Sequence, residues 1–212
     1  MTDGPHDRHT ISAVALLHME NLDQGFLAKL GVGFLTEMYG AIDRCSSSVL
    51  LVAKDEQGNV AGFVSGSKGM RPIYLEMLRR FFVLPFVMMP TLLNPVRIWR
   101  IGDILFYSFG KDSKFLPSSR TSEKNIHLPE NELLSIAVAP HARGKGVSES
   151  LYSRLVAHFR TQRETSFRII VGEKLEPAHR FYRRMGAEVA GTIEVHKGEL
   201  SKVYVQRLHC TA

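Results

Sequence analysis

The residues whose types and spacing best suit chemistry lie together at Arg143, Gly144, Lys145, Gly146, Val147 and Ser148. Glycines at 144 and 146 let backbone N–H groups approach an anion with no Cβ in the way. A β-rich run, 132–138, precedes them and an amphipathic run, 147–163, follows. A helix starting there adds unpaired N–H donors and the positive end of its dipole. Arg143 and Lys145 add formal charge. The chemistry this specifies is anion binding at a helix start, between a strand and a helix, and no more.

The spacing of apolar residues predicts the elements that hold this turn. Ile11, Val14, Ala15, Leu17 and Leu22 fall at helical intervals and predict a helix over 11–22. A second helical pattern runs through 26–42, weakened by Gly31 and Gly33. Residues 49–54 and 60–65 are β-rich and flank the turn-forming 55–59, which predicts a hairpin. Residues 70–109 mix large apolar side chains with Arg71, Arg79, Arg80, Arg97 and Arg100, and are cut by Pro85, Pro90 and Pro95. They read as a helical insertion of two or three short helices at about 70–110. A polar loop over 111–131 follows. In the last third, 132–138 is a strand and 147–163 a helix with Leu151, Leu155, Val156 and Phe159 on one face. Residues 167–171 form a strand and 177–185 a short helix closed by Gly186. Two further strands are expected at 187–195 and 202–208. No strand is evident before Ile11, so the N-terminal edge of the sheet is expected to be short.

The chain has 212 residues, 44% hydrophobic and 23% charged, which suits one domain with a substantial core and excludes disorder as its main state. The net charge of +6 favours anionic partners, though Lys and Arg are scattered and form no long run. The chain lacks the basic and aromatic platform of a single-strand binder, so no nucleic-acid partner is expected. Cys45 and Cys210 stand in no metal-ligand spacing, and no metal is expected. The longest uncharged run, 81–96, is too short for a spanning helix and holds three prolines. The polar start shows no secretory pattern, which makes a cytoplasmic location the default.

The full string from Glu132 through Ile136, Ala137, Val138 and Pro140 to Ser148 resembles the central motif of the GNAT superfamily of acetyl-CoA-dependent N-acetyltransferases. There a strand ending in Val-x-Pro leads to Gln or Arg, then Gly three residues on, then Gly or Ala two further on. Downstream, Ala178-His179-Arg180-Phe181-Tyr182-Arg183-Arg184-Met185-Gly186-Ala187 is similar to the family's second motif, Ala-x-x-(Phe or Leu)-Tyr-x-x-x-Gly. Two motifs in order are far more specific than one glycine turn. The resemblance departs at Ser148, where Gly or Ala is usual, and at Leu175, where many members carry Asn.

The resemblance implies a mixed α/β fold, a central twisted and mostly antiparallel sheet flanked by helices and opened where coenzyme A enters. It implies acetyl-CoA as cofactor, its pyrophosphate on the amides of Arg143 to Ser148 and its pantetheine arm along the backbone of Ile136, Ala137 and Val138. At the departing position Ser148 the small side chain is expected to leave the amide free to bind, with its hydroxyl as a candidate further phosphate contact. A strand N–H near Ala137 or Val138 is the expected oxyanion donor. Tyr182 matches the family's general acid, and Glu132 is the first candidate for the base, ahead of Glu173, His141 and His179. Strand alternation puts Glu132 on the side of Leu134 and Ile136. The acceptor is expected to be a small-molecule amine. A looser likeness of 25–31 to bacterial members associated with surface-sugar biosynthesis points to an amino sugar or a nucleotide-linked one. The arginines of the insertion suit a diphosphate; its apolar residues serve equally as core or as a homodimer contact, and a membrane-surface contact is the least favoured use. A non-catalytic acyl-CoA-binding module, or acetylation of protein amines, stays open as the alternative.

Overall fold

The structure is a computed structural model that describes residues 5–22, 30–79, 128–196 and 199–208. Helix α1, Arg8–Asn21, starts where Asp7 caps it by accepting the Thr10 N–H at 2.8 Å. Helix α2, Val32–Arg44, begins after Gly31, whose φ of 89° only glycine adopts without strain. The expected helix over 26–42 therefore starts later, and its earliest residues lie outside the described ones. The hairpin is present as β1, Ser48–Lys54, and β2, Val60–Lys68. Its turn is fixed by the Asp55 carboxylate, which accepts the N–H groups of Gln57 and Asn59. Of the proposed insertion, Arg71–Arg79 is helix α3, and the remainder to about 110 lies outside the described residues. Then come β3, Asn131–Val138; a single 3-10 turn, Pro140–Ala142; α4, Val147–Thr161; and β4, Ser166–Gly172. The chain finishes with α5, Glu176–Arg184; β5, Glu188–His196; and β6, Glu199–Arg207.

The strands form one sheet in the order β1-β2-β3-β4-β6-β5. Every neighbouring pair is antiparallel except β3 and β4. No strand among the described residues precedes β1.

Alternation along the strands divides the core in two. Leu50, Val52, Phe63 and Ala137 face α1, α2 and α3, joining Val14, Leu35, Tyr39, Ile42 and Ile73. Leu51, Val64, Leu133, Ile169 and Tyr204 face α4 and α5, joining Leu151, Leu155, Phe159 and Tyr182. Each large apolar side chain buried this way contributes roughly 1.5–3 kcal/mol. Helix α4 sits close on β2 because position 66 is glycine. A Cβ there would lie 2.8 Å from Leu155 Cδ1 and 3.0 Å from Phe159 Cζ.

Strand β3 carries the irregularity that matters for the site. Its register against β2 runs Ser65 opposite Ser135 and Gly66 opposite Leu133, so Leu134 is an extra residue, a β-bulge. The bulge breaks the alternation. Leu133 packs toward α4, Leu134 packs toward α1 and α2, and Ser135 also bonds to an α2 side chain. Ile136 then returns to the α4 side. The expectation that Glu132, Leu134 and Ile136 share one face is corrected accordingly. Glu132 and Leu134 do, and Ile136 faces the other way.

Candidate active site

Strands β3 and β4 run parallel for only two rungs, Glu132 opposite Arg168 and Leu133 opposite Ile169. Beyond Leu133 they part, while β3 stays paired with β2 as far as Val138. The peptide groups of β3 beyond the bulge thus have one side on β2 and the other on the opening. The N–H of Ala139 donates to the Ala61 carbonyl at 2.9 Å, and these two residues are directly opposite. In an antiparallel ladder, bonded and non-bonded pairs alternate. The pairs 139 with 61 and 137 with 63 are therefore the bonded ones, and Ile136 and Val138 turn both N–H and C=O into the opening. Of the predicted strand residues, Ala137 spends its amide on β2; the donors facing the opening belong to Ile136 and Val138. The Val138 carbonyl is already taken by Arg143 Nε at 3.2 Å.

The predicted glycine turn follows directly. Gly144 and Gly146 both have φ of 74°, the left-handed region. A Cβ at either would meet nothing within 4 Å, so the requirement is conformational rather than steric. Gly146 is the N-cap of α4 and has no side chain to cap it, which leaves the amides of the first turn facing outward. Lys145 is exposed beside them. Arg143 is not aimed at this cradle. Its guanidinium folds back to the Val138 carbonyl and to Asn21 Oδ1 at the end of α1. The Ser148 hydroxyl also has a different partner from the phosphate contact expected of it, donating to Glu149 Oε2 at 2.9 Å. Glu149 is held below the usual carboxylate range by a bond from its own N–H, then by Ser148 and Arg184. Its other oxygen is 2.5 Å from Arg184 Nη2 on α5.

Tyr182 lies on α5 at 5% exposure, with Tyr152 and Tyr204 at ring distances of 6.1 Å and Phe181 at 5.3 Å. Burial pushes its phenol up beyond the ordinary tyrosine value, so it stays protonated. Helix α5 is anchored one turn earlier by His179, which is fully buried. His179 Nε2 lies 3.1 Å from the Glu173 carbonyl, which can only accept. The ring proton is therefore on Nε2, and Nδ1 accepts from the Tyr204 hydroxyl at 2.9 Å. His179 is thus an anchor of the helix that carries Tyr182.

Glu132 is paired. Arg168 Nε and Nη2 both reach its Oε2 at 2.8 Å, and no hydrogen bond to Oε1 is made among the described residues. The lesser candidates are dispersed. His141 is exposed, 3.7 Å from Asp55, and Glu173 is exposed beyond the end of β4. No group of three or more metal-binding side chains occurs among the described residues, and Cys45 is a free thiol. No helix among them is long and apolar enough to cross a membrane.

One feature of the site has no counterpart in the sequence reading. Tyr39 of α2 donates or accepts at both the His18 ring, 2.5 Å away, and the Ser135 hydroxyl, 2.8 Å away. Ser135 in turn meets Ser65 at 2.8 Å. These four residues span positions 18 to 135 and share no sequence spacing.

The geometry offers an opened strand edge with two outward amides, an anion cradle at a helix start, and a protonated phenol on one face of the sheet. Glu132 and Ser135 lie on the other face. Residues 115–187 match the family model described as Acetyltransferase (GNAT) family. No curated protein matches the chain. Solved structures share the fold at low identity. An N-acetyltransferase from Staphylococcus aureus Mu50 is 13% identical over 98% of each chain, with a TM-score of 0.58. The protein yncA of Salmonella typhimurium, solved with its cofactor acetyl-CoA, is 13% identical over 100% of this chain and 96% of its own, with a TM-score of 0.58. The spermidine/spermine N-acetyltransferase SpeG of Vibrio cholerae is 14% identical over 98% and 93%, with a TM-score of 0.54.

Proposed function

We propose, from the match of residues 115–187 to the acetyltransferase (GNAT) family model, that the chain transfers the acetyl group of acetyl-CoA to the primary amine of a small molecule. The observation that carries this reading is the parting of β3 from β4 after Leu133, directly before the left-handed turn at Gly144 and Gly146. A free strand edge and an anion cradle one after the other fit an extended cofactor that has an amide-bearing arm and a pyrophosphate. The backbone of Ile136 and Val138 would hold the arm, and the amides from Arg143 to Ser148, with Lys145, the pyrophosphate.

Acetyl-CoA supplies an activated acyl carbonyl and a sulfur leaving group. The outward N–H of Ile136, farther from the cradle, would stabilise negative charge on the carbonyl oxygen and is fixed in place before reaction, while the Ile136 C=O and the Val138 N–H would remain for the arm. Tyr182 holds at Oη the proton needed by the departing sulfur. The burial that raises this phenol also disfavours a thiolate in the same site, so the two affinities rise together. Glu132 takes the amine's proton through water at Oε1, while Arg168 holds Oε2. Acid and base lie on opposite faces of the sheet, which suits an amine entering on one side and a thiol leaving on the other.

Amino sugars and nucleotide-linked amino sugars are the first acceptor class to test, on the strength of the arginines in the 70–110 segment and the likeness of 25–31. CoA thiol release against amino sugars, polyamines, aminoglycosides and N-terminal peptides identifies the class; release from one well above hydrolysis supports the reading. A non-catalytic acyl-CoA-binding module is the second reading. It is left open by the departures from the family pattern at Ser148 and Leu175. Turnover with any amine decides against it.

A further inference from the structure

The chain of hydroxyls from Ser65 to His18 is buried where polar groups are costly unless paired. Tyr39 and Ser65 are fully buried, His18 is 4% exposed, and Ser135 is half-buried at the opening, two residues beyond the last rung between β3 and β4. It links α1, α2, β2 and β3, and nothing in the chemistry described above employs it.

Its hydrogen bonds can run in two senses. Pointing toward Ser65, the His18 ring would donate to Tyr39, Tyr39 to Ser135, and Ser135 to Ser65. The Ser65 O–H would then have no acceptor, because Ser135 is its sole partner among the described residues. Pointing toward His18, Ser65 donates to Ser135, Ser135 to Tyr39, and Tyr39 to His18 Nδ1, so every O–H has an acceptor. An unpaired buried donor costs about 1–3 kcal/mol, which decides for the second sense. That sense needs a ring with Nδ1 unprotonated. Burial supplies the neutral ring by lowering the His18 pKa to about 4. It also keeps the proton on Tyr39, whose phenol is raised by burial and drawn back only in part by Ser135.

In this arrangement Ser135 Oγ donates its proton to Tyr39 and receives one from Ser65. A hydroxyl oxygen has two acceptor lone pairs, so one remains. It lies on the face of β3 shared with Glu132, beside the opening. We propose that Ser135 Oγ accepts an N–H of the incoming amine and so turns the nitrogen lone pair toward the acyl carbon, with Tyr39 and His18 as positioning residues that fix Ser135 as acceptor. The inference rests on the acetyltransferase reading and adds to it the group that recognises the nucleophile.

Three readouts test it. With spermidine, glucosamine and an N-terminal peptide as acceptors, Ser135→Ala lowers kcat/KM for the amine by about 10-fold or more, the value of one hydrogen bond to a reacting group. The KM for acetyl-CoA stays unchanged, and Ser135→Thr, which keeps the hydroxyl, restores most of the loss. Tyr39→Phe keeps the ring packing and lowers the same parameter. Independently of turnover, 15N NMR of the imidazoles, with His18→Asn for assignment, shows His18 protonated on Nε2 only. Wild-type kcat/KM in Ser135→Ala, or a ring protonated on Nδ1, overturns the proposal while the acetyltransferase reading survives. No turnover by the wild-type protein with any of these amines overturns both.

Discussion

Glu132 and Arg168 face each other across the first of the only two rungs that join β3 to β4, with two guanidinium nitrogens on a single carboxylate oxygen. The pair stands at the point from which the strands diverge, on the face of the sheet that also carries Ser135. As the proposed base, Glu132 would act through Oε1, since Arg168 holds Oε2. Glu132→Gln keeps the shape and removes the basicity. It lowers kcat by about 100-fold or more, the usual scale for a general base, with little effect on cofactor affinity. Steady-state kinetics beside CoA titration checks this. An unchanged kcat would make the pair a strut between the strands and move the base elsewhere.

Tyr182→Phe keeps the aromatic cluster with Tyr152, Phe181 and Tyr204 and deletes the proton. Turnover falls by about 100-fold or more while CoA still binds. Because burial raises this phenol, the acid form persists across the alkaline range. The rate therefore shows no decline from Tyr182 up to its ordinary value of about 10. A decline that Tyr182→Phe abolishes, centred below pH 9, would contradict the assignment.

Gly146→Ala places a Cβ at a φ of 74°, where L-residues are strained, though no atom stands within 4 Å of it. The expected cost is about 1–2 kcal/mol of stability, together with weaker CoA binding as the first amides of α4 reorient. Gly66→Ala has the opposite profile. Its Cβ meets Leu155 and Phe159, so stability drops by about 1–3 kcal/mol through overpacking, and CoA affinity in the folded fraction is retained. Chemical denaturation and calorimetric CoA titration of the two variants separate conformational from packing requirements.

His18 makes stability depend on pH. Its folded pKa of about 4 lies below the unfolded value of 6.5, so the unfolded chain binds a proton that the native one refuses. Stability from this group is fully present above pH 6.5 and is lost as pH falls toward 4, by roughly 3 kcal/mol at the limit. Urea unfolding from pH 7 to 4 measures the slope. His18→Gln removes that part of it; the same slope in the variant would place the titrating group elsewhere.

The strand, glycine turn and helix running from Asn131 to Thr161 were legible because their pattern is local. Gly144 and Gly146 announce left-handed turns, and the apolar periods of 132–138 and 147–163 flank them, so position in sequence is position in space. Strand alternation was legible only as far as it is regular. The bulge at Leu134 leaves no mark in residue type, since Leu, Ser and Ile suit either face, and it reversed the side of Ile136. The partner of Arg143 was hidden for a related reason. A cation beside a glycine turn looks aimed at phosphate, but its reach extends equally to the Val138 carbonyl and to Asn21 on α1. The chain through His18, Tyr39 and Ser135 was beyond reach of spacing. Its bonds cross 21 and 96 positions, and a histidine within an apolar helix reads as packing until its neighbour is known.

The proposed reaction moves an acetyl group from sulfur to nitrogen. The most direct measurement is mass-spectrometric detection of the acetylated amine alongside free CoA, with wild-type protein, acetyl-CoA and a panel led by amino sugars and polyamines. The expected result is one acetylated acceptor per CoA released, with both products suppressed together in Tyr182→Phe. Tight CoA binding with no acetylated product from any amine would contradict it.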